Sequence, residues 1–242
     1  MLAGNNAPER YERPESATTY EGLLVDFSVI WHYLPYLLRG AVVTVELSAV
    51  SLILGSLVGL AMTFARLSTH APIRAVVRSY VWVIRGTPLL LQIFVVYYWL
   101  PSYGILLPAF AAAVVALALH AAGYYVDIFR AAIQAVPTGQ VEAGHAIGLT
   151  SWQIMRRIIL PLSIRPALPA YIGQSINLVK NTSLVSVISV QELMYTSQSI
   201  YSSTYKVAEI LGTAGIIYLV INGALEALQN WWERHLSYYT VR

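Results

Sequence analysis

Five mostly apolar runs, each close to the length of a bilayer span, constrain the fold of this chain more than any other feature. They cover residues 40–65, 81–100, 107–132, 164–179 and 207–231. A helix crosses the hydrocarbon core of a bilayer with about 20 apolar residues. Helices also satisfy their own backbone hydrogen bonds in lipid. The sequence therefore predicts an all-α integral membrane protein with about five transmembrane helices.

Composition narrows the functional classes that remain. The chain is 57% hydrophobic and 11% charged, whereas a soluble domain carries about 25% charged residues. Cysteine is absent, which excludes disulfides and thiolate metal sites. The histidines have no metal-ligand spacing and no pair of carboxylates suggests catalysis, so the chain itself is not predicted to be an enzyme. The basic residues flank the apolar runs instead of forming one patch, which argues against nucleic-acid binding.

A polar segment, 141–161, separates the third run from the fourth. It is too polar for lipid, so a soluble partner could act on the membrane protein here. A short helix from Gln140 to Ile147 is expected, with Thr138 or Gly139 as its N-cap. Small residues would leave this helix thin enough to enter a groove on another protein, where Glu142 could pair with a basic group. The alternative is a helix lying on the lipid headgroups, but the broad apolar face of such helices is missing.

The remainder of this segment predicts a sharp turn and a second helix. Gly148 is expected to stop the first helix, because glycine adopts the left-handed cap conformation without strain. Thr150 and Gln153 have the spacing of a capping box at the start of the second helix. Pro161 is expected to kink or end that helix at the membrane.

Basic residues near the ends of the runs indicate the orientation of the chain. With the 141–161 segment in the cytoplasm, ten of the 15 Lys and Arg residues face inward. The ten are Arg66, Arg74, Arg78, Arg85, Arg130, Arg156, Arg157, Arg165, Arg234 and Arg242. We therefore expect an extracytoplasmic N-terminal arm, 1–32, a transmembrane domain, 33–235, and a cytoplasmic tail, 236–242.

Ionisable residues within apolar runs are functional candidates, because a charge is costly in lipid. Glu46 could contact a cationic group or line a pathway, and a packing hydrogen bond is about equally plausible. His120 lies in an alanine-rich stretch and is interpreted as a packing histidine. Asp127 and Arg130 favour a local salt bridge or a loop anchor over ligand binding. Lys180 could attract a carboxylate, although bonds to backbone carbonyls are equally plausible. The candidate pathway residues are Glu46, Gln92, Asp127, Lys180 and Thr182.

Several motifs in the order found here resemble one known family. The polar segment contains Glu142–Gly144, then Gly148 after three residues, and Ile158–Pro161 after nine more. This spacing resembles the EAA loop of ABC importer permeases, with Gly144 in place of the third-position alanine. Four further stretches resemble the polar amino-acid subfamily, which includes histidine, glutamine and general L-amino-acid permeases. They are Arg85–Leu90, Asp127–Arg130, Gly139–Gln140 and Lys180–Leu184.

The resemblance implies a type I importer fold in a bacterial inner membrane, with residues 137–161 as the loop that carries the coupling helix. It implies docking of an ABC ATPase dimer on Glu142, Ala143, Gly144, His145, Ala146, Gly148 and Leu149. It further implies a second permease subunit, identical or related, and an extracytoplasmic binding protein that delivers an amino acid. The chain has no phosphate-cradling Gly-x-x-x-x-Gly-Lys-[Ser/Thr] motif, so ATP and Mg²⁺ are expected on the ATPase, with no cofactor on this chain.

An ion-coupled carrier is the alternative function. Such carriers often contain inverted repeats or a charged relay through the spans. No repeat is apparent in this sequence, and Glu46, His120 and Asp127 are too few and too dispersed to define a relay. The sequence therefore favours the ATP-driven permease.

Overall fold

The computed structural model describes residues 26–237, and this part of the chain is helical without a strand. The longer helices are α1 (Phe27–Leu67), α2 (Ala71–Gly86), α4 (Ala109–Gln134), α7 (Leu160–Asn181) and α9 (Val207–Ser237). The shorter helices are α3 (Leu89–Phe94), α5 (Thr138–Ala146), α6 (Ser151–Ile154) and α8 (Leu193–Thr204). Most of the predicted N-terminal arm and the last five residues of the predicted tail lie outside the described residues.

Helix α1 is longer than the first apolar run predicts. Its 41 residues extend about 60 Å at 1.5 Å per residue, about twice the thickness of the hydrocarbon core. The aromatic segment before residue 40 continues the helix, and Pro35 lies within it. Asp26 caps the start, accepting hydrogen bonds from the Ser28 amide at 3.1 Å and the Ser28 hydroxyl at 2.6 Å. The hydroxyl bond in particular keeps the pKa of Asp26 below its ordinary value.

The core forms where α1 packs against α4. A β-carbon on Gly55 would lie 2.9 Å from the Ala118 carbonyl oxygen, and one on Gly59 would lie 2.8 Å from the Tyr125 β-carbon. The two helix backbones are therefore as close as glycine allows. Small residues on one face of a membrane helix permit this approach, and alanines of α4 fill the opposite side. These contacts position α4, which leads directly into the polar segment.

The second apolar run, 81–100, is not one continuous helix, so its prediction as a single helix was wrong. The chain breaks at Thr87 and Pro88, and the segment Leu89–Tyr103 is turned 111° from α2. Thr87 is extended, as expected for a residue before proline, whose ring disfavours the helical conformation there. The break therefore makes a bent pair of helices.

Helices α8 and α9 pack against the first half of α1. A short 3₁₀ segment, Thr182–Ile188, follows α7 and leads to α8. Leu37, Leu193 and Ile210 are buried together at this contact. The C-terminal helix otherwise stays largely at the surface of the chain, with 17% of its most apolar stretch buried. This leaves α9 available to lipid or to another subunit.

The all-α membrane fold is confirmed, whereas the count of five spans stays a prediction. Within residues 26–237, three helices are long and apolar enough to cross a membrane: α1, α4 and Val207–Trp232 of α9. The bent pair would make a fourth. Helix α7 contains the predicted fourth run and has 22 residues, but it is more polar than the other three because polar residues and prolines interrupt it.

Candidate functional site

The polar segment between α4 and α7 folds into a helical hairpin, which we define as residues 137–161. Its first helix, α5, begins at Thr138, two residues earlier than predicted. The N-cap is Pro137, not Thr138 or Gly139, and it makes no side-chain capping hydrogen bond. The prediction of the cap was therefore wrong. The fixed φ of proline suits the backbone at the entry to a helix, but its ring supplies no acceptor for the first amides.

The predicted stop at Gly148 is confirmed. Gly148 has a φ of 79°, in the left-handed region. Its amide donates to the His145 carbonyl at 3.0 Å, and the Leu149 amide donates to the Gly144 carbonyl at 3.1 Å. These two bonds form a Schellman motif, which satisfies carbonyls left free at the helix end. The turn is therefore specified by local backbone chemistry.

The second helix of the hairpin begins with the predicted capping box. The Gln153 amide donates to the Thr150 hydroxyl at 3.3 Å, and the Thr150 amide donates to the Gln153 side chain at 2.9 Å. Pro161 was predicted to kink or end this helix, and it does not end it. A π-helical turn, Met155–Ile159, precedes the proline, and α7 continues through it. Such a turn shifts the hydrogen-bond register, so that a residue without an amide hydrogen is tolerated.

Gly144 lies at the contact between the two arms of the hairpin. A β-carbon there would lie 2.9 Å from Ile158 Cδ1 and 3.0 Å from Ile154 Cγ1. Gly144 is buried, unlike its neighbours on α5. The small size of this residue therefore serves the internal packing of the hairpin, which corrects the expectation that it thins α5 for a groove on a partner.

The opposite side of α5 is exposed, and we call it the α5 face. Ile147 at the end of this helix is 76% exposed. Leu149 is half-buried in the turn that follows. The other exposed members of the α5 face are Glu142, Ala143, His145, Ala146 and Gly148. The α5 face therefore presents one large apolar side chain among small and polar ones.

Glu46 is exposed on α1, in an otherwise apolar groove between α1 and α9. Val42, Val45 and Val220 are among the lining residues, and the groove holds about 500 Å³. No hydrogen-bond or ion-pair partner of Glu46 is present within the described residues. A carboxylate in this position needs water or a polar partner from outside the chain.

Gln92 and His120 bind each other beside the bend between α2 and α3. The Gln92 amide nitrogen donates to the Ile84 carbonyl at 2.8 Å and to the Thr87 hydroxyl at 3.0 Å. The Gln92 side-chain oxygen lies 3.0 Å from His120 Nδ1. The interpretation of His120 as a packing histidine is confirmed. The polar atoms of Gln92 are engaged in holding the bend, and its contact with a substrate stays a prediction.

Asp127 forms its salt bridge across helices. Its partner is Arg85 at the end of α2, not Arg130, as a local pair would require. The Arg85 guanidinium also lies 5.3 Å from the centre of the Tyr124 ring. Asp127 and Arg85 come together because α2 packs along α4, which sequence spacing alone does not reveal.

The remaining two pathway candidates lie near the end of α7 in different surroundings. Lys180 is exposed. Thr182 is fully buried, and its hydroxyl donates to the Val179 carbonyl at 2.7 Å. The structure therefore does not gather the five predicted pathway residues into one cluster within this chain, and their contact with a substrate stays a prediction.

A buried carboxylate that sequence reasoning missed lies at the junction of α1, α8 and α9. Glu192 is fully buried, and the Tyr195 and Met194 amides donate to it at 2.7 and 2.9 Å. The Tyr218 hydroxyl donates to it at 2.9 Å, and the Thr44 hydroxyl lies 3.5 Å away. We call these residues the Glu192 cluster. Four donors around one carboxylate compensate for the loss of its hydration.

One signal in the sequence could have indicated Glu192. It is the only charged residue in the stretch 181–205. A lone carboxylate among apolar and hydroxyl residues in a membrane protein is expected to have buried partners. The identity of those partners depends on α1 and α9, which are far away along the chain.

Comparisons with known proteins agree with this architecture. The family described as "Binding-protein-dependent transport system inner membrane component" matches residues 55–238. The nopaline transport system permease protein NocM of Agrobacterium fabrum is 36% identical over 222 residues, covering 86% of this chain and 92% of that protein. The L-cystine transport system permease protein TcyB of Bacillus subtilis is 38% identical over 209 residues, covering 86% of this chain and 89% of that protein.

A solved structure also resembles this chain over most of its length. It is the crystal structure of an amino acid ABC transporter with histidines, with a TM-score of 0.82 and 37% identity. The match covers 88% of this chain and 99% of that chain. At this identity, the likeness extends beyond the fold to the family.

The helical bundle and its polar hairpin define the membrane subunit of a transport system. The chain belongs to the family of binding-protein-dependent transport system inner membrane components, as an ABC transporter permease of the polar amino-acid importer type with a type I importer fold.

Proposed function

We propose that this chain forms part of the pathway of an ATP-driven amino-acid importer and that the 137–161 hairpin is its coupling element. The contact of Gly144 with Ile154 and Ile158 carries this proposal. It joins α5 to α6 and to the π-helical turn that leads directly into α7, so a force applied to α5 would be transmitted to a long helix of the bundle. Helix α7 packs against α4, which precedes the hairpin. The hairpin is thus anchored at both ends in the membrane domain.

An ABC ATPase dimer is the proposed partner of the α5 face. The exposed Ile147 side chain offers an apolar anchor, and Glu142 offers a charge for a basic group on the ATPase. The chain has no phosphate-cradling loop of its own, so hydrolysis of ATP with Mg²⁺ belongs to that partner. The hairpin then faces the cytoplasm, with the N-terminus outside and the C-terminus inside, as the distribution of basic residues favours.

A second permease subunit and an extracytoplasmic binding protein complete the proposed assembly. The groove between α1 and α9 supports a second subunit, because Glu46 lies among apolar residues there and has no polar partner in the part of the chain that the structure describes. Two subunits around a twofold axis would enclose a pathway between them. We propose an amino acid as the substrate because the related permeases are named for nopaline and L-cystine. Of the pathway candidates, Glu46 and Lys180 are exposed enough to contact it.

Measuring whether ATP or an ion gradient drives uptake tests this function. We expect the chain, reconstituted in vesicles with its partner subunits, to take up a labelled amino acid only when ATP is present on the hairpin side. Uptake measured with ATP but without an ion gradient, and with an ion gradient but without ATP, separates the two functions. Uptake driven by the gradient alone would support an ion-coupled carrier and refute the proposal.

A charge reversal tests docking on the α5 face. We expect Glu142→Lys to leave the chain in the membrane and to reduce co-purification of the ATPase by about tenfold, the equivalent of ~1.4 kcal/mol for a lost charge contact. Glu226→Lys is the matched control, since Glu226 is also exposed but lies on α9. Co-purification of the ATPase should be unchanged in that control. Full co-purification with Glu142→Lys would place the ATPase contact elsewhere.

A further inference from the structure

A pocket rich in arginine lies at the end of the bundle that carries the hairpin. Arg66 from the last turn of α1 lines it together with Arg78 and Arg85 from α2. Asp127 from α4 supplies the carboxylate among the lining residues. The pocket holds about 460 Å³ and opens at the surface of the chain. We call it the arginine pocket.

The charges of the arginine pocket are not balanced within the described residues. Asp127 is bound to Arg85. Arg66 and Arg78 have no further carboxylate among the lining residues of the pocket. Three guanidinium groups that line the pocket therefore share one carboxylate, and like charges held together attract an anion from outside.

The Arg66 guanidinium is a second reason to expect an anion in this pocket. Its Nη1 atom is buried and has no hydrogen-bond partner among residues 26–237. A guanidinium donor that is removed from water without an acceptor is costly, because its desolvation is not compensated. Rotation of the Arg66 guanidinium would turn this donor toward an oxygen-rich anion in the pocket, and guanidinium groups match phosphate oxygens in geometry.

The surroundings of the pocket indicate a membrane lipid as the source of the phosphate. Trp82 lines the pocket and is 76% exposed, and Val83 beside it is also exposed. Tryptophan is enriched at the level of the lipid headgroups. Arg66 is at the end of a membrane-spanning helix, where the apolar part of the chain meets water. Basic pockets between membrane helices on the cytoplasmic side bind anionic headgroups.

We propose that the arginine pocket binds the phosphate headgroup of an anionic phospholipid, held by Arg66 and Arg78 with Trp82 at the edge of the acyl region. Arg85 also lines the pocket, but the Asp127 carboxylate neutralises part of its positive charge. The proposal depends on the membrane position of this chain and not on docking at the α5 face.

Lipid binding to the full chain tests this proposal. Native mass spectrometry with dioleoyl phosphatidylglycerol is expected to show a bound lipid that dioleoyl phosphatidylcholine does not replace. Arg78→Gln should weaken phosphatidylglycerol binding about fivefold, since each basic residue near a membrane surface contributes ~1 kcal/mol. Arg78 is exposed, so this variant should fold. Arg39→Gln is the matched control, because Arg39 is exposed near the other end of α1, and binding should be unchanged.

Four outcomes would overturn the assignment. Equal binding of phosphatidylglycerol by Arg78→Gln and the unchanged chain would remove the pocket from the lipid contact. Displacement of the lipid by an equal concentration of glycerol 3-phosphate would show that a free phosphate is the ligand. Displacement by the ATPase would show that the pocket is a protein contact. Salt gives a test without a variant: higher ionic strength should weaken binding of phosphatidylglycerol, and no effect of salt would also contradict the proposal.

Discussion

A chain with leucine in place of Gly144 is expected to reach the membrane in normal amounts and to show amino-acid uptake at background level. Gly144 touches Ile154 and Ile158, and even a β-carbon there would lie 2.9 to 3.2 Å from their side chains. A leucine side chain would push the two arms of the hairpin apart, because packed interiors have no space for added carbons. The ATPase would then move α5 without moving α7.

Two further variants show whether altered packing within the hairpin causes the loss of uptake. Gly144→Ala should retain most of the uptake, because the closest atoms are the flexible ends of isoleucine side chains. The double variant Gly144→Leu with Ile158→Ala should recover part of the uptake, since the smaller residue makes room. Uptake by vesicles and ATP hydrolysis should be measured together for each variant. Normal uptake by Gly144→Leu would show that the contact does not transmit force.

Removal of the buried carboxylate at residue 192 is expected to have the largest effect on stability. In Glu192→Ala, the Tyr218 hydroxyl and the Met194 and Tyr195 amides would lose their acceptor in a buried site. Unsatisfied buried donors are costly, so we expect the free energy of unfolding to fall by about 3 kcal/mol. Glu192 contacts α8 and α9, and Thr44 of α1 lies beside it. The loss should therefore loosen this junction.

Reversible unfolding in mixed micelles measures this effect. Glu192→Gln should lower the free energy of unfolding by about half as much. The glutamine keeps one acceptor oxygen, but its amide group faces other donors. Glu46→Ala serves as a control because Glu46 is exposed, and its unfolding free energy should change by less than about 0.5 kcal/mol. Equal stabilities of the two alanine variants would show that the Glu192 cluster contributes nothing to the fold.

Local chemistry made part of the fold and of the hairpin predictable from sequence. Gly148 ends α5, and Thr150 with Gln153 starts the next helix, because each acts on backbone groups a few residues away. The first and third apolar runs predict the positions of α1 and α4, although α1 begins well before its run. The bend at Pro88 was missed, because the apolar run continues across it and hydropathy gives no information about the direction of the helix axis.

The amino-acid sequence by itself determined that this chain is a helical membrane protein with a polar hairpin, because hydropathy and capping act over short distances along the chain. Only the tertiary structure decided which groups meet. Asp127 pairs with Arg85, 42 residues away, and Thr44 lies beside Glu192, 148 residues away. Gly144 likewise faces into the hairpin because the second arm folds back onto it. These contacts depend on how helices pack, and many packings are compatible with the same local pattern of apolar and polar residues.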